Sequence, residues 1–343
     1  MEEATSTFPI INDRYQILNT ISSGGMAVIY RAKDMVLDRL IALKILKKEL
    51  SQKADLREQF STEAKATARL SHVNIVTTYD FGIYGDRLFI AMELIDGSIL
   101  KDAIADNEIS LMQRINYLKQ ACEGLAYAHQ NNIIHCDIKP QNMLISESSE
   151  LKLTDFGIAR VFDTLSRESN SGEIWGSPYY IAPEIAAGAA PSPAADVYSM
   201  GIVMYEVLTK RLPFEGEDVL ALVEKHQGET PLPPIQINKE IPASINAIIL
   251  KSLSKKPTKR YPDASALLSA ITKAENDIIA AQTVTQSSEH HLSDDPQAVD
   301  DGLMHGVERE PMDWKTILLA FAAIIMVGGL IPFWLFIYYS INR

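Results

Sequence analysis

Cysteine is nearly absent from this 343-residue sequence, which holds only Cys122 and Cys136. Two thiols cannot build a disulfide framework, so a reducing compartment is expected. Positive charge is also scarce. Lys and Arg number 32 against 44 Asp and Glu, a formal net charge of −12. That balance excludes general nucleic-acid binding through a basic surface. Residues 1–20 carry neither a basic cluster nor an apolar run, so no secretory signal is expected there. No internal repeat is present, and a hydrophobic content of 47% is that of a folded chain.

The acidity is unevenly placed. Residues 274–313 contain ten acidic side chains and a single basic one, Arg309. With few aromatics beside Gln, Ser, Asp and Glu, this stretch reads as a flexible acidic linker. Its Glu289-His290-His291 run reads as solvated linker sequence, because no further ligands recur at metal-site spacing. Residues 317–339 hold no charge at all. As a helix they would extend about 34 Å, enough to cross a hydrocarbon core of about 30 Å. Trp314 on one side and Trp334, Tyr338 and Tyr339 on the other suit an interfacial belt. A transmembrane helix over 316–339 with a short tail, 340–343, is therefore expected. Its small residues Ala322, Ala323, Gly328 and Gly329 are compatible with self-association or with lipid contact.

Ahead of that tail, a leader (1–12) is followed by alternating β-type runs. Strands are expected over 15–21, 27–34, 39–47, 75–81 and 87–94, interrupted by one helix over 56–70. From 98 onward the apolar spacing turns helical, over 111–130, 194–209, 219–226, 243–253 and 264–274. A β-rich half (13–94) before a helical half (98–273) is a two-lobed α+β arrangement.

Phosphoryl transfer requires a phosphate cradle, a cation, metal ligands and a residue that positions the nucleophile. The chain offers such groups in order. A small-residue run, Ser22-Ser23-Gly24-Gly25-Met26-Ala27-Val28-Ile29, lets backbone approach phosphates. Lys44 lies within the expected strand, in the segment Ile41-Ala42-Leu43-Lys44. The segment His135-Cys136-Asp137-Ile138-Lys139-Pro140-Gln141-Asn142 precedes Asp155-Phe156-Gly157, and Ala182-Pro183-Glu184 comes later. In this order the motifs resemble the eukaryotic-like (Hanks-type) Ser/Thr protein kinases, especially bacterial membrane-anchored members, over residues 13–273.

The resemblance implies the two-lobed kinase fold, ATP with Mg²⁺ or Mn²⁺, and protein substrates bearing Ser or Thr. It makes Asp137 the residue that orients the substrate hydroxyl and Lys139 its γ-phosphate partner, with Asn142 and Asp155 on the metal. It gathers Ile21, Ser22, Gly24, Gly25, Ala27, Ile29 and Ala42 around the nucleotide. Lys44 would meet the α/β-phosphates with Glu63 as its helix partner, and backbone groups of Glu93 and Leu94 would hold the adenine edge. Asp196 would brace the catalytic loop and Arg260 would pair with Glu184.

Two departures stand out. Only Gly24 occupies one of the family's three glycine positions, and Cys136 replaces an arginine that in many members pairs with a phosphorylated activation loop. A thiol cannot make that charge-assisted contact. Activity without strict dependence on loop phosphorylation is therefore expected, although Thr164, Ser166, Ser169 and Ser171 offer hydroxyls. The expected location is the inner membrane, with the kinase half in the cytoplasm. A non-catalytic scaffold and a small-molecule phosphotransferase are the rival readings.

Overall fold

Six consecutive residues of one strand, Ile41 to Leu46, are buried, Lys44 included. A strand covered on both faces belongs mid-sheet, and in the computed structural model it does. The structure describes residues 9–156 and 178–290, apart from 26, 53–56, 58–60, 62–63, 66 and 106–108, with side chains to 280. Strands β1 (Ile10–Ile11), β2 (Tyr15–Ser23), β3 (Ala27–Asp34), β4 (Arg39–Leu46), β5 (Thr78–Tyr84) and β6 (Arg87–Glu93) form an antiparallel sheet in the order β1-β2-β3-β4-β6-β5.

Strand alternation sorts β4 into two cores. Ile41, Leu43 and Ile45 join Tyr15, Ile17 and Phe89 on one face. Ala42 and Leu46 join Val76, Ile90 and Met92 on the other, which is also the face of Lys44. The register of Lys44 opposite Ile29 and Ile90 thus aims a cation at the second face.

Strand β5 begins three residues later than the apolar pattern predicts. Residues 74–76 serve a second sheet instead. Val76 N donates to Leu153 O at 2.9 Å, and Leu153 N donates to Asn74 O at 2.8 Å. That sheet, ordered β7 (Gly97–Ile99), β8 (Met143–Ser146) and β9 (Leu151–Leu153), carries the chain on either side of the catalytic-type motifs. Seven of the fifteen residues of the helix expected over 56–70 lie outside the described residues, and Ala64 and Leu70 are buried.

One short helix, α1 (Lys48–Ser51), follows β4, and the second half is mainly helical: α2 (Leu100–Ala105), α3 (Leu111–Gln130), α4 (Pro183–Ala186), α5 (Pro193–Thr209), α6 (Val219–Gly228), α7 (Pro234–Ile237), α8 (Ala243–Ser252) and α9 (Ala264–His290). Helix α3 starts where Ser110 Oγ accepts from Gln113 N at 3.2 Å, and α6 where Asp218 accepts from Ala221 N at 2.8 Å. Helix α5 buries residues all round, including Tyr198, Met200 and Tyr205, as a central helix must. Gly124 of α3 permits its close packing, since a Cβ there would lie 2.6 Å from Asn74 O.

Helix α9 continues to His290, past the boundary drawn at 274. Ala274 is buried, Ile278 packs on the same core, and Glu275 pairs with Lys119 of α3 at 2.7 Å. These contacts supply the apolar and ionic partners that composition alone withheld from this segment. Residues 291–313 and the apolar stretch 317–339 lie outside the described residues. Among the described residues no helix is long and apolar enough to cross a membrane.

One buried group makes stability depend on pH. His226 of α6 is fully buried, with Nδ1 2.9 Å from Tyr198 Oη. Burial, helped by the Lys255 ammonium, pushes its pKa down to about 4. Because the unfolded chain takes up this proton first, stability from the neutral imidazole is complete above about pH 6.5 and fades towards pH 4. Denaturant melts between pH 4 and 6.5 are expected to show a shallower slope for His226→Gln than for wild type. Equal slopes would refute it.

Candidate active site

Lys44 and Asp155 stand 111 residues apart in sequence yet meet directly, Nζ donating to Oδ1 at 2.6 Å. Burial alone would raise the Asp155 carboxyl, but the Lys44 ammonium overrides it and the carboxyl lies below its usual range. Asp155 has a left-handed backbone, φ 59°, two residues after β9 ends.

The second group lies between α3 and β8. Lys139 Nζ donates to Asp137 Oδ2 at 2.7 Å. Asn142 Nδ2 donates at 2.9 Å to both the backbone O and Oδ2 of Asp137. This fixes the Asn142 amide and leaves its Oδ1 as the oxygen free for a cation. Asp155 likewise keeps Oδ2 beyond its bond to Lys44. Two hard oxygen donors completed by phosphate oxygens and water fit Mg²⁺. Thr154 N donates to Asn142 O at 3.0 Å, which joins the two groups through backbone.

A buried network holds the loop that carries Asp137. Asp196, near the start of α5, accepts from His135 N at 2.7 Å and from Cys136 N at 2.9 Å. Cys136 adopts φ 64°, a conformation costly for a side-chain-bearing residue, and the Asp196 carboxylate secures it. His129, 3.0 Å from Asp196 Oδ2, accepts in turn from Ala264 N at 3.2 Å. Asp137 N donates to His135 Nδ1 at 3.3 Å, which assigns the His135 proton to Nε2, 3.1 Å from Thr154 O. Burial lowers the His135 pKa, consistent with that neutral form. Phe156 packs on the same ring at 4.4 Å.

The β2–β3 hairpin, whose second strand pairs with that of Lys44, is closed by Gly24 N donating to Ala27 O at 3.0 Å. Ser22 and Ser23 pair with Ile29 and Val28, so the small residues occupy the hairpin tip. A Cβ on Gly25 would meet nothing within 4 Å, and one on Gly24 only Ala27 O at 3.7 Å. The protein's own packing does not require these glycines. A cradle kept open suits an external group such as phosphate. Ile21 is exposed just before the tip.

Of the other expected nucleotide contacts, Ala42, Ile29 and Leu94 belong to one apolar cluster. Val76, Ile95 and Leu144 belong to it too, although as plain apolar strand or loop residues they carried no signal in the sequence. Glu93 directs its carboxylate to Lys152 at 3.0 Å, and its amide donates to Thr77 O at 2.9 Å. Only its carbonyl remains to contact a base edge. Glu63 and Gly157, with the hydroxyls of residues 164–171, lie outside the described residues. Arg260 and Glu184 form the expected pair, bidentate at 2.7 Å for both bonds.

Comparison with known proteins agrees with this geometry. The protein kinase domain family model matches residues 15–289. Ser/Thr-protein kinase PrkC of Bacillus subtilis is 39% identical over 266 residues, covering 77% of this chain and 41% of its own length. PknB of Mycobacterium leprae is 36% identical over 76% of this chain and 43% of its own length. The chain thus spans about two fifths of the curated relatives it matches. The kinase domain of Mycobacterium tuberculosis PknI superposes with a TM-score of 0.62 at 22% identity, over 79% of this chain and 99% of that one, a likeness of fold. The order of the motifs, the ion pairs they form and the family match lead to one conclusion: this chain belongs to the protein kinase family.

Proposed function

We propose that the chain is a Ser/Thr protein kinase that transfers the γ-phosphoryl group of ATP to protein hydroxyls while tethered to a membrane. The convergence of Lys44 with Asp155, and of Asp137 with Lys139 and Asn142, carries the reading. Asn142 Oδ1 and Asp155 are suited to hold Mg²⁺, which when bound neutralises phosphate charge. Lys44 leans on Asp155 and so keeps its ammonium where the α- and β-phosphates enter below the hairpin. Asp137 orients the acceptor hydroxyl and receives its proton, and Lys139, held 2.7 Å from Asp137 Oδ2, steadies the transferred group. Incubation with γ-labelled ATP and a generic protein substrate is the test. Lys44→Met should abolish the label, and equal labelling by both proteins would favour a scaffold.

The uncharged stretch 317–339 supports the tether, and the acidic sequence before it supports a flexible spacer. The kinase half would then lie on the cytoplasmic side of the inner membrane, close to membrane-bound substrates. Cells expressing the full chain should retain it in carbonate-washed membranes, and truncation after residue 313 should release it. Retention of the truncated form would disprove the tether.

Cys136 supports a further element of this reading. Uncharged, it cannot anchor a phosphate on the activation loop as an arginine does. Phosphatase-treated enzyme is expected to keep more than half of its initial rate. A loss of ten-fold or more would show that loop phosphorylation is required after all.

A further inference from the structure

The two sheets are joined by ion pairs of very different exposure. Lys44 pairs with Asp155 at 2.6 Å, their side chains 10% and 28% exposed. Lys152 pairs with Glu93 at 3.0 Å, with 12% and 24% exposed. Arg31 pairs with Asp96 at 3.1 Å, but here the side chains are 36% and 59% exposed. Water and salt compete far better for this last pair, so it opens most easily.

Strand register fixes where that pair lies. Arg31 of β3 stands opposite Ala42 of β4, and cross-strand partners share a face. On that face Ala42 packs with Ile29, Leu94 and Ile95, the apolar cluster expected to receive the nucleotide base. Asp96 follows Ile95 directly but is anchored to the other sheet. Its carbonyl accepts from Glu147 N at 3.0 Å, just past β8, and the next residue, Gly97, opens β7. The Arg31–Asp96 pair thus ties the first sheet to the second at the solvent-facing edge of the base-binding cluster. Glu93 alternates with Met92 along β6 and points away from the cluster, so its pair with Lys152 lies behind it. Thr77 N, donating to Glu93 Oε2 at 3.2 Å, reinforces that rear contact.

We propose that the Arg31–Asp96 pair is a latch on the nucleotide site, holding the two sheets over the bound base and slowing nucleotide departure. This deepens the kinase reading and rests on it. With the Glu93–Lys152 pair sheltered at the rear, the sheets part most readily on the Arg31–Asp96 side. A nucleotide whose base sits between Ala42 of β4 and Leu144 of β8 leaves through that edge. Arg31 and Asp96 are positioning residues in this scheme, because they act on the sheets and not on the reacting phosphate. Product release limits turnover in many enzymes, so an exposed pair here sets a rate that ionic strength can tune.

Stopped-flow release of methylanthraniloyl-ADP from the full chain, chased with unlabelled ATP, is the test. Arg31→Ala and Asp96→Ala are each expected to speed release about three-fold, the scale of an exposed ion pair. The double variant should release no faster than either single one, because the two side chains act as one contact. Raising NaCl from about 0.05 to about 0.5 M should speed release from the native chain by a similar factor and leave Arg31→Ala nearly unchanged. Exchanging the charges, Arg31→Asp with Asp96→Arg, should restore slow, salt-sensitive release. Native release rates in both single variants, additive effects in the double variant, or fast and salt-insensitive release from the exchanged pair would overturn the latch and leave the kinase reading intact. Failure of the native chain to bind the nucleotide at all would overturn the kinase reading and the latch with it.

Discussion

Asp137→Asn is expected to lower phosphoryl transfer about 10³-fold with the fold intact, within the range ascribed to a positioned general base. The native carboxylate receives Lys139 Nζ and Asn142 Nδ2 on the same oxygen, Oδ2. The other oxygen is left to face an acceptor hydroxyl. Asparagine keeps one carbonyl acceptor for those donors, but its other arm is an amide that cannot accept a proton. KM for ATP should therefore change little while kcat collapses. Initial-rate measurements paired with thermal melting decide the matter. A melting temperature within a few degrees of wild type with less than ten-fold loss of kcat would remove Asp137 from the catalytic role.

Arg260→Ala is expected to have the largest effect on stability, about 3–5 kcal/mol, the usual cost of breaking a buried ion pair from one side. Its guanidinium donates to both oxygens of Glu184 at 2.7 Å and to the carbonyls of Ala194 at 2.9 Å, Ser254 at 2.7 Å and Lys255 at 3.0 Å. Truncation strips partners from four groups at once, in a site where the arginine side chain is fully buried. For a domain of this size the melting temperature should fall by roughly 10 °C. Lys225→Ala is a useful control. That side chain reaches Glu229 at 3.8 Å across an exposed helix turn, so less than about 0.5 kcal/mol is expected. Similar melting temperatures for the two variants would show that the Glu184 pair is not holding α4 against the helical core.

The site's chemistry was legible in the sequence because it depends on residue types that packing seldom requires in that order. Lys44, Asp137, Lys139 and Asp155 announce themselves by charge and Asn142 by its amide, and the structure joins them into two hydrogen-bonded groups. Asp196 and Arg260 were legible for the same reason. The boundaries of α3 and β3 also followed from apolar spacing, since a helix and a strand that each bury one face must repeat at 3.6 and 2.0 residues.

Long-range pairing decided the rest. Residues 75 and 76 are as β-prone as their neighbours, and only the presence of Leu153 drew them from the first sheet to the second. Helix α9 runs past 274 because Lys119 and the helical core lie beside it, partners invisible in a polar, acidic local sequence. Val76, Ile95 and Leu144 line the face below Lys44 although nothing in their own chemistry marks them. By itself, then, the sequence determined which residue types were available to a candidate phosphoryl-transfer site, since charge and hydrogen-bonding capacity are properties of residues. Which oxygen of Asp137 stays available and which neutral form His135 takes were decided only by tertiary structure, because each depends on distances between segments that the chain order leaves free.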